Sequence, residues 1–160
     1  MELGLKTTDR GFSYDRYPFP AGMVVYNMER EKVTLKVDKP TLFLVWSVQA
    51  SLNSLGWQRL MDIQERYQDK GLETVAVNFK NGADFNTQMT EARSFLDREP
   101  KPTHNYLDPM GFVIDGLRVP AFPSAYLVNG AGEVIFMTRA TDASGLELLE
   151  SETETLVNTL

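Results

Sequence analysis

Two apolar runs, Thr41-Leu42-Phe43-Leu44-Val45-Trp46 and Thr74-Val75-Ala76-Val77-Asn78-Phe79, lie on either side of a stretch with helical period. A run apolar on both alternating faces cannot leave either face in water, so each reads as a strand covered on both sides. Between them Leu52, Leu55, Leu60, Ile63 and Tyr67 recur at helical spacing, with Gln58, Arg59, Asp62, Glu65 and Arg66 on the opposite face. That predicts a helix from Ser51 to Tyr67, ended by Lys70-Gly71. Two buried strands joined by a helix are parallel neighbours, and such crossovers are almost always right-handed. The chain is therefore expected to build an α/β fold: a central mixed sheet flanked by helices.

The remaining segments extend that plan. Residues 1–22, rich in Gly, Pro, Tyr and Asp, show no sustained period and read as an irregular lead-in around Tyr17-Pro18-Phe19-Pro20. Phe12, Tyr14, Tyr17 and Phe19 are expected to pack across an edge of the domain. Met23–Tyr26 and Lys32–Val37 flank a polar stretch and predict an N-terminal hairpin. An amphipathic helix is expected over Asp84–Leu96, then strands over Ser124–Val128 and Glu133–Thr138 joined by the turn Asn129-Gly130-Ala131-Gly132. Ser144-x-x-Glu147 resembles a capping box opening a last helix that buries Leu146, Leu149, Leu156 and Val157. The expectation is one domain over 1–160, with its core in 23–160.

Composition excludes several function classes. A net charge of −6 with no Lys/Arg cluster argues against a nucleic-acid partner. The strongest apolar run is too short to span a bilayer, and Met-Glu-Leu-Gly lacks the pattern of a signal peptide. There is no cysteine and one histidine, His104, read as a solvated residue of the Pro102–Asn105 loop rather than a base for Ser47, Ser51 or Ser54. No cofactor and no metal site is expected: Asp108 and Asp115 lack the spacing of a calcium loop and read as solvated turn residues. Gly130-x-Gly132 precedes a strand, not a helix, so it is a hairpin turn and not a phosphate cradle. Trp57 is expected in the core or at its rim, and Glu147, Glu150, Glu152 and Glu154 on the solvent face of the last helix.

Trp46-Ser47-Val48-Gln49-Ala50-Ser51-Leu52-Asn53, between a buried strand and a helix, resembles the W-x-x-W-C-x-x-C segment of thioredoxin-like proteins. The wider pattern over Gly22–Thr138 is similar to the TlpA/ResA (redoxin) type, extracytoplasmic thiol–disulfide oxidoreductases with an N-terminal hairpin and an inserted central helix. Tyr106-Leu107-Asp108-Pro109-Met110-Gly111 resembles that group's D-x-x-G stretch, and Val119–Gly132 its V-x-G-x-P-T-x-F-L-I-D-x-x-G. The resemblance implies a thioredoxin-like fold, a cis bond before Pro123 and an extracytoplasmic location. The departures decide the chemistry. Ala50 and Asn53 stand where the two cysteines belong, Gln49 replaces the second tryptophan, and Leu44 stands where an acid is often buried. Exchange needs a thiolate to attack and a second thiol to resolve the mixed disulfide, and neither Ala nor Asn supplies one.

The expectation is therefore a redox-inactive binding module that holds an extended peptide or protein partner in the vestigial groove of Trp46, Gln49, Ala50, Asn53, Phe122 and Pro123. The alternative is a structural or regulatory domain docking on a redox or membrane complex through another face.

Overall fold

A computed structural model describes residues 11–48, 55–80 and 84–159. Its elements are β1 (Phe12–Ser13), β2 (Tyr17–Pro18), β3 (Val24–Asn27), β4 (Lys32–Thr34), β5 (Thr41–Trp46), α1 (Leu55–Tyr67), β6 (Glu73–Asn78), α2 (Phe85–Arg98), β7 (His104–Leu107), α3 (Phe112–Leu117), β8 (Ser124–Val128), β9 (Glu133–Arg139) and α4 (Ala143–Asn158). One mixed sheet carries all the described strands in the order β1-β9-β8-β5-β6-β7-β3-β4, with β2 also on β9. β5, β6 and β7 are parallel; the other pairs are antiparallel.

The two faces of β5 explain its unbroken apolar sequence. Leu42, Leu44 and Trp46 pack with Leu60 and Ile63 of α1, Met89 and Phe95 of α2, and Leu146 and Leu149 of α4. Phe43 and Val45 point the other way, into a second cluster with Val113 and Leu117 of α3 and with Phe19 and Met23. Every residue of β5 is buried, and burying each large side chain stabilises the fold by about 1.5–3 kcal/mol. The mixed α/β architecture expected from the sequence is the one observed.

Several local readings change. The lead-in is not wholly irregular: Phe12 pairs with Thr138 and Tyr17 with Val134, and Phe19 enters the core, its ring edge-on to Phe43 at 4.9 Å. Two-residue strands leave no period to read, and pairing with β9 makes them strands. His104 begins β7 instead of lying in a loop, half-buried and paired with Val75 of β6. The last helix is capped by Asp142, which accepts from the Ser144 N–H, and not by a Ser144–Glu147 box. A carboxylate one residue ahead of the helix is a good acceptor for its free N–H groups. Leu156 of that helix is only half-buried. Gly145 lets α4 lie directly on β9: a Cβ there would meet Thr138 Oγ1 at 1.9 Å.

Candidate functional site

The parallel strands end together. Trp46, Asn78 and Leu107 close β5, β6 and β7, and the chain leaves all three at the same edge of the sheet. In open α/β sheets this carboxyl edge is where connections part and a crevice opens. Phe79 N–H donates to the Trp46 carbonyl at 2.9 Å, and Asp108 N–H to the Asn78 carbonyl at 2.9 Å, so the three departing segments are held side by side.

A cleft of about 260 Å³ lies here, lined by Ser47, Val48, Asn78, Phe79, Lys80, Glu91 and Phe122. One wall is aromatic: the Phe79 and Phe122 rings stack with centroids 6.0 Å apart and planes 20° from parallel. Another is ionic, with Lys80 Nζ 2.5 Å from Glu91 Oε1, both groups partly screened from solvent. Asn78 is only 2% exposed; Gln88 Nε2 donates to its carbonyl and to its Oδ1, whereas Asn78 Nδ2 has no partner among the described residues.

Asp108 supports the edge from below. Read from the sequence as a solvated turn residue, it is instead fully buried, and its carboxylate accepts from the N–H groups of Phe112, Val113 and Ile114 at 2.9, 2.9 and 3.3 Å. It thus satisfies the free donors that open α3. Burial pushes its carboxyl above the ordinary carboxylate value, against the backbone N–H groups that pull it down. Gly111 precedes the helix with φ 76°, a left-handed conformation that glycine adopts without strain. The resulting turn leaves Met110 69% and Phe112 48% exposed. Asp115 is exposed, as expected.

The residues named from the sequence divide in three ways. Phe122 lines the cleft, and Pro123 is buried beside it with the Phe122–Pro123 peptide bond cis. Trp46 does not wall the groove: it is 1% exposed and turned into the core against Trp57 and Phe95, with centroids 5.2 and 4.8 Å away. Its position on β5 gives it the same face as Leu42 and Leu44, which α1 and α2 cover. Gln49, Ala50 and Asn53 lie outside the described residues. Leu44 is completely buried, so no acid sits at that core position. Sequence reading missed Asn78, Lys80, Glu91 and the Met110–Phe112 turn. The one available signal was an asparagine ending an otherwise apolar strand.

The cleft holds no redox pair, since the chain has no cysteine. In an insulin-reduction assay with added dithiol the protein is expected to match the buffer blank, because nothing can form the mixed disulfide. Turnover above the blank would contradict that chemistry. Among the described residues no group of His, Asp or Glu could hold a metal ion, and no helix is long and apolar enough to cross a membrane.

No protein-family model matches the chain, and no curated protein matches it. Solved structures do. A putative thiol:disulfide interchange protein DsbE from Chlorobium tepidum superposes with a TM-score of 0.73 at 20% identity, over 88% of this chain and 95% of that one. A secreted disulfide oxidoreductase of Mycobacterium tuberculosis, homologous to E. coli DsbE, gives 0.67 at 15% identity over 84% and 96%. StoA from Bacillus subtilis gives 0.63 at 16% identity over 86% and 99%. The likeness establishes a thioredoxin-like fold, the arrangement the sequence resemblance implied.

Proposed function

From a thioredoxin-like fold with no cysteine, we propose a redox-inactive binding module that engages an extended peptide or protein partner at the groove beside Phe122 and Pro123. The observation that carries this reading is the concentration of uncovered apolar surface at the sheet's carboxyl edge. Leu55 at the start of α1, with Met110 and Phe112 before and at the start of α3, make up three of the four large exposed hydrophobics among the described residues. A folded chain gains by covering such side chains, and where several are exposed at one edge of a sheet they mark a surface for a partner to cover. Among the described residues, the N–H and C=O of Phe122 have no backbone partner. An extended peptide would pair there as an added strand does, with affinity supplied by main-chain hydrogen bonds and specificity by neighbouring pockets. Neighbours of the DsbE type, one of them secreted, support an extracytoplasmic setting.

The alternative, docking through the acidic last helix, has less free surface to work with, because Glu150 is held by Arg66 of α1. The two readings part on one variant. Peptides selected on the wild-type protein should bind Met110→Ser/Phe112→Ser at least about tenfold more weakly, equivalent to about 1.4 kcal/mol. The thermal midpoint should fall only slightly, since Met110 is 69% and Phe112 48% exposed and little buried apolar surface is lost. Undiminished binding by the double variant would overturn the groove reading, and loss on altering Glu147 and Glu154 would establish the other.

A further inference from the structure

Resting on the peptide reading above, we propose that the cleft between the Phe79–Phe122 wall and the Lys80–Glu91 pair is a side-chain pocket selective for a carboxamide, the side chain of Gln or Asn in the bound peptide. The polar groups are mixed in kind. Lys80 is a donor and Glu91 an acceptor, their ion pair leaves the pocket without net charge, and Asn78, which also lines it, carries a buried Nδ2 donor without a partner among the described residues. A carboxylate guest would meet Glu91 and a chain of net charge −6. An ammonium guest would meet Lys80. An aliphatic guest would cover the stacked rings but leave the ionic wall desolvated and unanswered. A carboxamide is neutral and carries both an acceptor oxygen and two donor hydrogens. Its oxygen accepts a hydrogen bond from the Asn78–Lys80 side, its NH2 donates one to Glu91, and its methylenes lie against Phe79 and Phe122.

The unpartnered Asn78 amide is the independent sign that something is missing. A buried donor without an acceptor is uncommon in a folded chain, and this one belongs to a residue that both lines the cleft and is almost wholly buried. Gln88 shows that Asn78 accepts a carboxamide neighbour: its Nε2 lies 2.9 Å from the Asn78 carbonyl and 3.1 Å from Oδ1. In the bound state the guest oxygen reaches Nδ2 as the Lys80–Glu91 pair opens around it.

Two probe series test the pocket on the isotope-labelled full chain by chemical-shift titration. The first is propionamide, propionate and propylammonium; the second is capped, amidated extended peptides identical except for Gln, Glu, Lys or norleucine at one central position. Propionamide alone should shift the Asn78 side-chain amide, and the Gln peptide should bind at least about fivefold tighter than the other three. Glu91→Met, a partly exposed position, should remove most of that preference with the fold intact; Asn78→Asp, which keeps the shape and deletes the donor, should do the same. Equal binding of all four peptides, with shifts at Phe122 and Met110, would overturn the carboxamide pocket and leave the peptide reading standing. Propionamide shifts at Asn78 with no peptide bound would do the reverse. No shift from any probe would overturn both.

Discussion

Trp57→Ala is expected to lower the free energy of unfolding by about 4 kcal/mol, within the range for truncating a large buried aromatic residue. Trp57 is 2% exposed and closes a three-ring cluster, 5.2 Å from Trp46 and 5.4 Å from Phe95 between centroids. Those rings join β5, α1 and α2, so the cavity left by alanine cannot collapse without moving a helix off the sheet. The indole also donates to the Pro100 carbonyl at 3.0 Å, tying α1 to the segment that leads into β7. Its removal leaves that carbonyl to find another donor. Trp57→Phe keeps most of the volume and loses the hydrogen bond, so it should cost about half as much. Urea unfolding measures both; a loss below about 1 kcal/mol for the alanine variant would mean that the cluster does not hold the sheet to its helices.

Asp108→Ala should cost about 3 kcal/mol, because a buried carboxylate is lost and three N–H donors at the start of α3 are left without an acceptor. Asp108→Asn keeps one acceptor oxygen and no charge, so its cost should be smaller and should depend on pH. The sign follows from linkage. The folded-state pKa of Asp108 is raised by burial, so its contribution is full below the ordinary carboxylate value and is lost as pH rises through the raised one. The wild-type advantage over Asp108→Asn should therefore be larger at pH 4 than at pH 7. An advantage that grows with pH would show that the N–H donors outweigh desolvation. The Met110–Phe112 turn hangs from this cap, so loss of peptide binding is expected to accompany loss of stability in the alanine variant.

The parts of the fold with long, regular patterns could be read from the chain. β5 and β6 announce themselves because burial on both faces forces unbroken apolar runs, and α1 and α2 because one face of each must cover those strands. β7 and α3 could not be read: His-Asn-Tyr-Leu is polar where it is half-buried, and six helical residues give too few turns for a period. Asp108 was misjudged for a related reason, since sequence shows a charged residue next to Pro-Met-Gly but not the three amides it faces. Of the site, Phe122 and Pro123 followed from the resemblance to a known segment. Trp46 did not, because the alternation that makes β5 a strand also turns its last side chain into the core. The ionic wall, Lys80 with Glu91, joins residues from two elements, and only the fold brings them together.

The most direct test of a binding module at the sheet's carboxyl edge is a chemical-shift map of the labelled chain with an extended peptide selected from a random library. The predicted map centres on Phe79, Met110, Phe112 and Phe122, with the amide of Phe122 among the largest changes. A map centred instead on α4, with those four residues unmoved by saturating peptide, would contradict it.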